Sequence, residues 1–229
     1  MTISDDVWSR YIAALRKVNN TAAEKVQKYM ETHDIYADRQ AFLDFCYGIA
    51  TQYGEGAAAL SCEMYDAIAA LNGQFLPGAE PAATATYDEV AKAVQGTMKT
   101  GNAETIAGSV GRVVKMAGVD TTMKNAIRDH AEWAWIPRGE TCAFCVMLAS
   151  NGWQPASKKA LKGGHAEHIH ANCDCTYAIR FNSSTNVAGY DPGKYQAMYN
   201  DADGRSWREK LNSMRREAYA ESKTEEIDI

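Results

Sequence analysis

The sequence lacks the features of a membrane protein and of a general nucleic-acid binder. None of its apolar runs approaches the roughly 20 residues that a bilayer requires, which predicts a soluble protein with no membrane span. Among its 229 residues, 29 are acidic and 24 are lysine or arginine, which gives a net charge of −5. A surface of that sign has no general attraction for phosphate backbones, so we expect no general nucleic-acid binding.

Signals for export and for common hydrolases are missing as well. The first residues, MTISDDVWSRY, contain two early acids and lack the apolar core of a secretory signal. We therefore expect the six cysteines in a reducing cytosol, where metal binding is favoured over disulfide formation. The sequence has no H-E-x-x-H and no G-x-S-x-G motif, so it offers neither a zinc-peptidase helix nor a nucleophile elbow.

What the chain does contain is a stretch, residues 137–181, with four of the six cysteines and three of the five histidines. A C-x-x-C pair is followed, after a loop of about 24 residues, by an H-x-x-C-x-C cluster. Two short clusters separated in this way are typical of closed structural zinc sites, which hold Zn²⁺ with four N or S ligands in a tetrahedron. The candidate ligands are Cys142, Cys145, His170, Cys173 and Cys175.

Five candidates compete for four coordination positions. The two thiols of a C-x-C reach one ion only where the backbone bends sharply, whereas His170 and Cys173 are spaced to meet on one helical turn. The order of preference is therefore Cys142, Cys145, Cys175, His170 and Cys173. The alternative that these are ordinary reduced cysteines, clustered without a metal, stays open.

The charge of such a site also needs a partner. Three thiolates and one imidazole around Zn²⁺ leave a formal charge of about −1, which backbone N–H donors or a nearby cation usually stabilise. Arg138 and Lys162 are candidates for that cation, and His165 and His168 are spare imidazoles.

The same stretch carries a resemblance to a known family. Residues 137–152 read P-x-G-x-T-C-A-F-C-x-M-L-A-S-x-G, and residues 170–175 read H-x-x-C-D-C before a short predicted strand. This pattern resembles the C-terminal signature of the phage Mu F-like head morphogenesis family, the minor capsid proteins of tailed phages. The resemblance covers about 45 residues densely, while the first 100 residues resemble the family only in being helical.

The resemblance implies a setting and partners. It implies a minor capsid or head morphogenesis protein of a tailed phage, in the head interior or portal region of the virion and in the host cytoplasm during assembly. Portal, capsid and scaffold proteins are the implied partners, and further copies of the chain are candidates too. The zinc would then be structural, and no residue is assigned a catalytic role.

Two enzyme classes compete with this structural interpretation. Some family members are labelled capsid maturation proteases, so a capsid maturation peptidase is the first alternative. A zinc deaminase is the second, because His165 and Glu167 together with the C-x-x-C pair supply its residue types. In deaminases, however, H-x-E precedes the cysteine pair, whereas here it follows, and an alternating α/β pattern is missing.

Hydrophobic periodicity predicts two long helices at the start of the chain. Residues 4–32 and 38–72 carry apolar side chains at steps of three and four, with Ser4 and Asp38 as N-caps and Asn72-Gly73 as the C-terminal stop. Such a pair is predicted to pack antiparallel as a rod that suits contacts with neighbouring subunits, and a self-contained helical bundle is the alternative.

Further along, a Pro/Gly linker over 73–85 precedes a helix that opens with a Thr86/Glu89 capping box. Next come a segment that ends at Gly118 and a helix capped by Asp120 that extends through Ala134. Only residues 176–181 are predicted as a strand.

The Trp pair, Trp133 and Trp135, is expected to seal the metal lobe against the helical body. After it, a helix starts at Asp191-Pro192, and a last helix from Ser206 carries several basic side chains. We interpret those basic side chains as a solvated face, with contact to DNA or to an acidic subunit as the alternative.

The predicted fold class is mostly α, with long antiparallel helices and a helical body followed by a small Cys/His-rich metal-type lobe with minimal β structure. The predicted segments are a long helical hairpin over 1–72, a helical segment after the Pro/Gly linker over 73–136, the zinc-type lobe over 137–181, and C-terminal helices with an acidic tail over 182–229.

Overall fold

The structure, a computed structural model, describes residues 2–99, 101–138, 141–157 and 175–227, with side chains in the last helix up to residue 218. The described chain is mostly helical, which confirms the predicted fold class. The helices are α1 (Asp5–Thr32), α2 (Arg39–Leu71), α3 (Tyr87–Met98), α4 (Ala103–Arg128), α5 (Ala143–Ala149), α6 (Pro192–Asp201) and α7 (Trp207–Ile227). The strands are β1 (Thr2–Ile3), β2 (Glu132–Ile136), β3 (Gln154–Pro155), β4 (Thr176–Arg180) and β5 (Asn186–Val187).

The two long helices begin and end where their capping residues predict. The Ser4 side chain accepts a hydrogen bond from the backbone N–H of Val7 at the start of α1. The Asp38 side chain likewise accepts a hydrogen bond from the backbone N–H of Ala41 at the start of α2. Asn72 caps the end of α2, and Gly73 follows with a φ of +66°, a left-handed conformation that glycine adopts without strain. The predictions for both helices are therefore confirmed.

The buried face of α2 rotates along its length. Leu60 and Met64, predicted on the apolar stripe, are only partly buried, and Leu71 is 44% exposed. Ser61 and Tyr65 are buried in their place. The rotation follows from α4, which packs along both α1 and α2, so the first two helices belong to a bundle rather than to an exposed rod.

Helix α4 runs without interruption through Gly118 and Asp120, so the predicted stop at Gly118 and the predicted N-cap at Asp120 are wrong. Gly118 lies against α2, where an added Cβ would approach Ser61 Oγ to 2.8 Å and the carbonyl oxygen of Ala57 to 3.2 Å. Two turns earlier, a Cβ on Gly111 would lie 3.3 Å from the carbonyl oxygen of Asn19 in α1. These glycines allow close helix packing; they do not end the helix.

The end of α4 is followed by a strand, so the predicted helix through Ala134 is also wrong. Asp129 caps α4 and His130 has a φ of 54°, which turns the chain out of the helix. Strand β2 then pairs antiparallel with β3 and β4 in a three-stranded sheet of order β3-β2-β4. Strand β4 confirms the predicted strand, and β2 is its unpredicted neighbour.

A second pairing joins the start of the chain to its later part. Strand β1 pairs in parallel with β5, and Ile3 and Val187 are buried where they meet. The side chain of Asn182 and that of Thr185 contact Asn72 Oδ1, which ties the turn before β5 to the end of α2.

The predicted linker over 73–85 crosses α4 and is bound to it by hydrogen bonds. Asn125 is fully buried, accepts the N–H of Glu80 at 3.0 Å and donates to the carbonyl oxygen of Glu80 at 2.8 Å. Four residues earlier on the helix, Thr121 Oγ1 accepts the N–H of Ala82 at 2.9 Å. Side chains of α4 thus satisfy backbone groups that would otherwise require water.

We call residues 77–82 of this linker the 77–82 segment. Arg128 donates to the carbonyl oxygens of Pro77 and Gly78, at 3.0 and 3.1 Å. Lys124 Nζ forms an ion pair of 3.1 Å with Glu80 Oε2 of the segment, and both side chains are largely exposed. The segment is therefore held by successive turns of α4.

A charged network closes the same end of α4. Arg128 donates from Nε and Nη2 to the two carboxylate oxygens of Asp129, each at 2.7 Å, and Tyr65 donates to Asp129 Oδ2 at 2.8 Å. The Asp129 side chain is only 5% exposed. This bidentate pair connects α2, α4 and the 77–82 segment.

One buried hydrophobic cluster contains residues from all four predicted segments, including Trp8, Val94, Cys145 and Leu211. The division of the chain at the predicted boundaries stays a prediction. Within the described ranges, no helix has the length and apolar character needed to cross a bilayer.

Candidate metal site

The C-x-x-C pair lies at the start of α5. Cys142 is the N-cap residue with extended backbone, and Cys145 is in the first turn of the helix. Cys145 is buried and Cys142 is partly buried. The start of a helix brings residues at this spacing onto neighbouring positions of one turn, which is the local geometry that two ligands of one ion require.

Cys175 lies immediately before β4 and has no exposed surface. In the sheet, Thr176 pairs with Ile136, so Cys175 is adjacent to the end of β2, from which the chain leads to Cys142. Helix α5 packs against β2. The fold therefore brings the elements that carry Cys142, Cys145 and Cys175 to the same end of the three-stranded sheet.

Helix α6 encloses this end of the sheet. It packs against α5, and Tyr190, just before it, donates to the carbonyl oxygen of Ala149 at 2.9 Å. Burial raises the pKa of Tyr195 in α6, and the neighbouring Cys175 raises it further. Sequence reasoning did not assign these tyrosines to the site; their aromatic spacing just after the cysteine stretch was the available signal.

Trp133, Trp135 and Tyr177 form a buried aromatic group on the three-stranded sheet. The ring centroids of Trp133 and Trp135 lie 4.6 and 5.0 Å from that of Tyr177 in edge-on contacts. Burial raises the pKa of Tyr177, and the charge of Asp120 in α4 raises it further. Helix α4 packs against both β2 and β4. Both tryptophans are buried, and the expectation that they seal a metal lobe against the helical body stays a prediction.

Of the two predicted cations, Arg138 has partners in α1. Its guanidinium donates to Asp5 Oδ1 at 3.0 Å and to Ser9 Oγ. It fixes the segment between β2 and α5 to the first helix. Lys162 lies outside the described residues.

Two predicted ligands, His170 and Cys173, lie outside the described residues, as do His165 and His168. In the part of the chain that is described, no group of three or more His, Cys, Asp or Glu side chains is arranged to hold a metal ion. The predicted ligand set is therefore not tested and stays a prediction.

The remaining cysteines and His130 lie apart from this region. Cys46 is buried inside α2, where burial raises its pKa to about 12, and Cys62 is partly buried on the same helix. His130 is exposed at the turn after α4, rather than on the face of a helix.

The donor chemistry of the three described thiols fits Zn²⁺. Thiolate and imidazole are the ligands that structural zinc prefers, and a buried thiol such as Cys145 or Cys175 is stabilised in its charged form by a coordinated ion. These two side chains would supply ligands from α5 and from the start of β4.

Comparison with known proteins gives one family match, to the model described as VG15 protein, which covers residues 2–202. The chain belongs to the VG15 protein family. This is a family of phage gene products, so the protein is a phage protein. The VG15 match runs from β1 through α6 and does not include α7. Searches of curated proteins and of solved structures each give no significant match.

Proposed function

We propose that this VG15-family protein is a minor structural protein of a tailed-phage head, of the Mu F-like kind, located at the portal or on the inner face of the capsid. Its partners in this proposal are the portal and the capsid or scaffold proteins, together with further copies of the chain. A structural zinc ion stabilises its Cys/His-rich segment.

The observation that supports the proposal is that the elements carrying Cys142, Cys145 and Cys175, namely α5 and the start of β4, lie at one end of the three-stranded sheet. These residues come from the two halves of the cysteine motif that resembles the head morphogenesis family. The chain belongs to a phage protein family, and its three longest helices, α1, α2 and α4, pack against one another. Both features are consistent with a structural component.

The zinc would perform a structural task. Cys142 and Cys145 would hold it from α5 and Cys175 from β4, with His170 or Cys173 completing four ligands. Structural zinc sites in small domains supply on the order of 10 to 16 kcal/mol of apparent binding free energy, which exceeds what a loop-rich segment of this size gains from apolar burial.

The metal is tested by its stoichiometry in the purified full chain. We expect about one zinc per chain, strongly reduced in Cys142→Ser and Cys175→Ser but unchanged in Cys62→Ser, which removes a thiol from α2. Stoichiometry is the readout because a serine at the buried Cys175 also lowers stability without any metal. A metal-free chain from zinc-supplemented cells, or equal zinc in all three variants, contradicts the proposal.

The setting is tested by co-purification with the portal protein of the same phage. Binding should survive Glu167→Gln, which removes the only acid in the H-x-E sequence, and should be lost in Cys142→Ser. Cleavage of scaffold or capsid precursor by the purified chain, abolished by Glu167→Gln, would replace the structural role with the peptidase alternative.

A further inference from the structure

The outer face of α7 carries a group of exposed arginines. Arg208 and Arg215 are seven residues apart, which places them on one face two turns apart, and Arg216 lies beside Arg215. All three side chains are exposed. We call these residues the arginine face.

The opposite side of α7 is fixed to the protein, so the arginine face is presented outward. Leu211 is buried, and α7 packs against α5. Lys210 Nζ donates to the carbonyl oxygens of Tyr199, Asn200 and Ala202, at 3.0, 2.8 and 2.8 Å. Lys210 therefore caps the end of α6 and is not part of the exposed charge.

Within residues 205–218, the two carboxylates of α7 form hydrogen bonds with groups other than the arginines of this face. Glu209 Oε2 accepts the backbone N–H groups of Arg205 and Ser206, and Glu217 Oε1 contacts Ser213 Oγ. Among the side chains that the structure describes, none forms an ion pair with an arginine of this face. Its positive charge is therefore available to a partner.

An aromatic ring lies at one end of the arginine face. Trp207 is 50% exposed, and the guanidinium of Arg208 lies over its ring, 5.1 Å from the centroid. An exposed indole beside arginines offers a stacking surface next to phosphate-binding groups.

We infer that α7 binds the phosphate backbone of DNA through Arg208, Arg215 and Arg216. The face extends about 12 Å along the helix, and duplex DNA carries one negative charge per roughly 1.7 Å of its axis. This charge density is far above that of a protein surface with mixed charges, so DNA matches the face better than an acidic subunit does. The solvated face predicted from the sequence is the alternative to this inference.

The acidic remainder of the chain confines DNA to this face. With a net charge of −5, the rest of the surface repels phosphates, so contact with DNA is confined to the arginine face. The arginine face contains none of the predicted metal ligands, and Lys210 anchors α7 to the end of α6.

The test measures binding of the full chain to labelled duplex DNA by fluorescence anisotropy as a function of salt. The variant replaces Arg208, Arg215 and Arg216 by Gln. We expect at least about a tenfold loss of affinity at low salt. The slope of the logarithm of the binding constant against the logarithm of the salt concentration should become smaller in magnitude by about 0.9 for each arginine removed. The matching Arg→Lys triple variant keeps the charge and should retain most of the slope.

A matched control replaces three exposed lysines of α1, Lys17, Lys25 and Lys28, by Gln. The Arg→Gln and Lys→Gln triple variants change the net charge equally, so they differ only in the position of the lost charges. An equal loss in both variants overturns the inference in favour of a net-charge effect. Displacement of DNA by polyglutamate at equal charge concentration also overturns it, in favour of an acidic protein partner.

Discussion

The close approach between α2 and α4 at Gly118 gives a prediction that runs against helix propensity. A Cβ at Gly118 would lie 2.8 Å from Ser61 Oγ and 3.2 Å from the carbonyl oxygen of Ala57. A Cβ at Gly96 in α3 would have nothing within 4 Å. Gly→Ala at these two positions should therefore have opposite effects on stability.

The magnitude at Gly118 follows from what the methyl group displaces. Ser61 is buried and its Oγ lies 3.0 Å from Tyr11 Oη in a hydrogen bond, so it cannot move aside without breaking that bond. Overpacking of this kind costs about 1 to 3 kcal/mol, and an unpaired buried hydroxyl adds a similar amount. The gain in helix propensity offsets about 1 kcal/mol of this.

We expect Gly118→Ala to lower the free energy of unfolding by about 2 kcal/mol, or the melting temperature by roughly 4 to 8 °C. Gly96→Ala should raise the free energy by up to about 1 kcal/mol. Urea unfolding followed by circular dichroism measures both. If Gly118→Ala were as stable as Gly96→Ala, the close α2–α4 contact would be wrong. Adding Ser61→Ala to Gly118→Ala should restore part of the loss.

Three further predictions concern buried polar contacts and the metal. Asp129→Asn should cost about 2 to 3 kcal/mol, because it breaks a largely buried ion pair with Arg128. Burial alone would raise the pKa of Asp129, but hydrogen bonds and charge from Arg128 outweigh it and the pKa lies below its ordinary value. The stability that ionised Asp129 contributes is complete above the pKa of the carboxyl in the unfolded chain, about 4, and is lost as pH falls through its lower pKa in the folded protein. In urea unfolding, the difference in free energy of unfolding between the wild type and Asp129→Asn should therefore narrow below about pH 4. Asn125→Ala should expose the 77–82 segment to limited proteolysis, whereas Lys124→Ala, which removes an exposed ion pair, should not. Zinc chelation should lower the melting temperature of the wild type but not of Cys175→Ser, and equal shifts in both would contradict a site at the sheet.

The helices that the sequence predicted correctly have local signals at their N-termini. Ser4, Asp38 and the Thr86/Glu89 capping box each bind the backbone of their own helix, so their effect depends on residues three positions away. Such contacts are fully contained in a short stretch of sequence. The strand at β4 was likewise visible from its alternation of side chains.

The sequence predictions are wrong where contacts with residues distant in the sequence determine the local structure. Gly118 is a typical helix stop, yet α2 requires a small residue at that position of α4. Strand β2 contains Ala134 and two tryptophans that also fit a helix, and its pairing with β4, which is distant in the sequence, determines the outcome. The linker over 73–85 carries turn residues, but polar side chains of α4 order it.

The candidate site was predictable in composition but not in arrangement. The spacing of the cysteines identifies Cys142, Cys145 and Cys175 as a group. The position of α5 and of the start of β4 at one end of the sheet depends on β2, which the sequence did not indicate. Arg138 was expected near a metal, and its actual partners in α1 are remote in sequence.

The parallel pairing of β1 with β5 has a consequence for the order of folding. Its two strands are almost the whole chain apart, so the entropy of closing that loop must be overcome before the contact forms. The hairpin of α1 and α2 can form early from nearby residues. Residues 2–3, in contrast, can pair with β5 only after residues 186–187 have been synthesised, so we expect this contact to form late in folding.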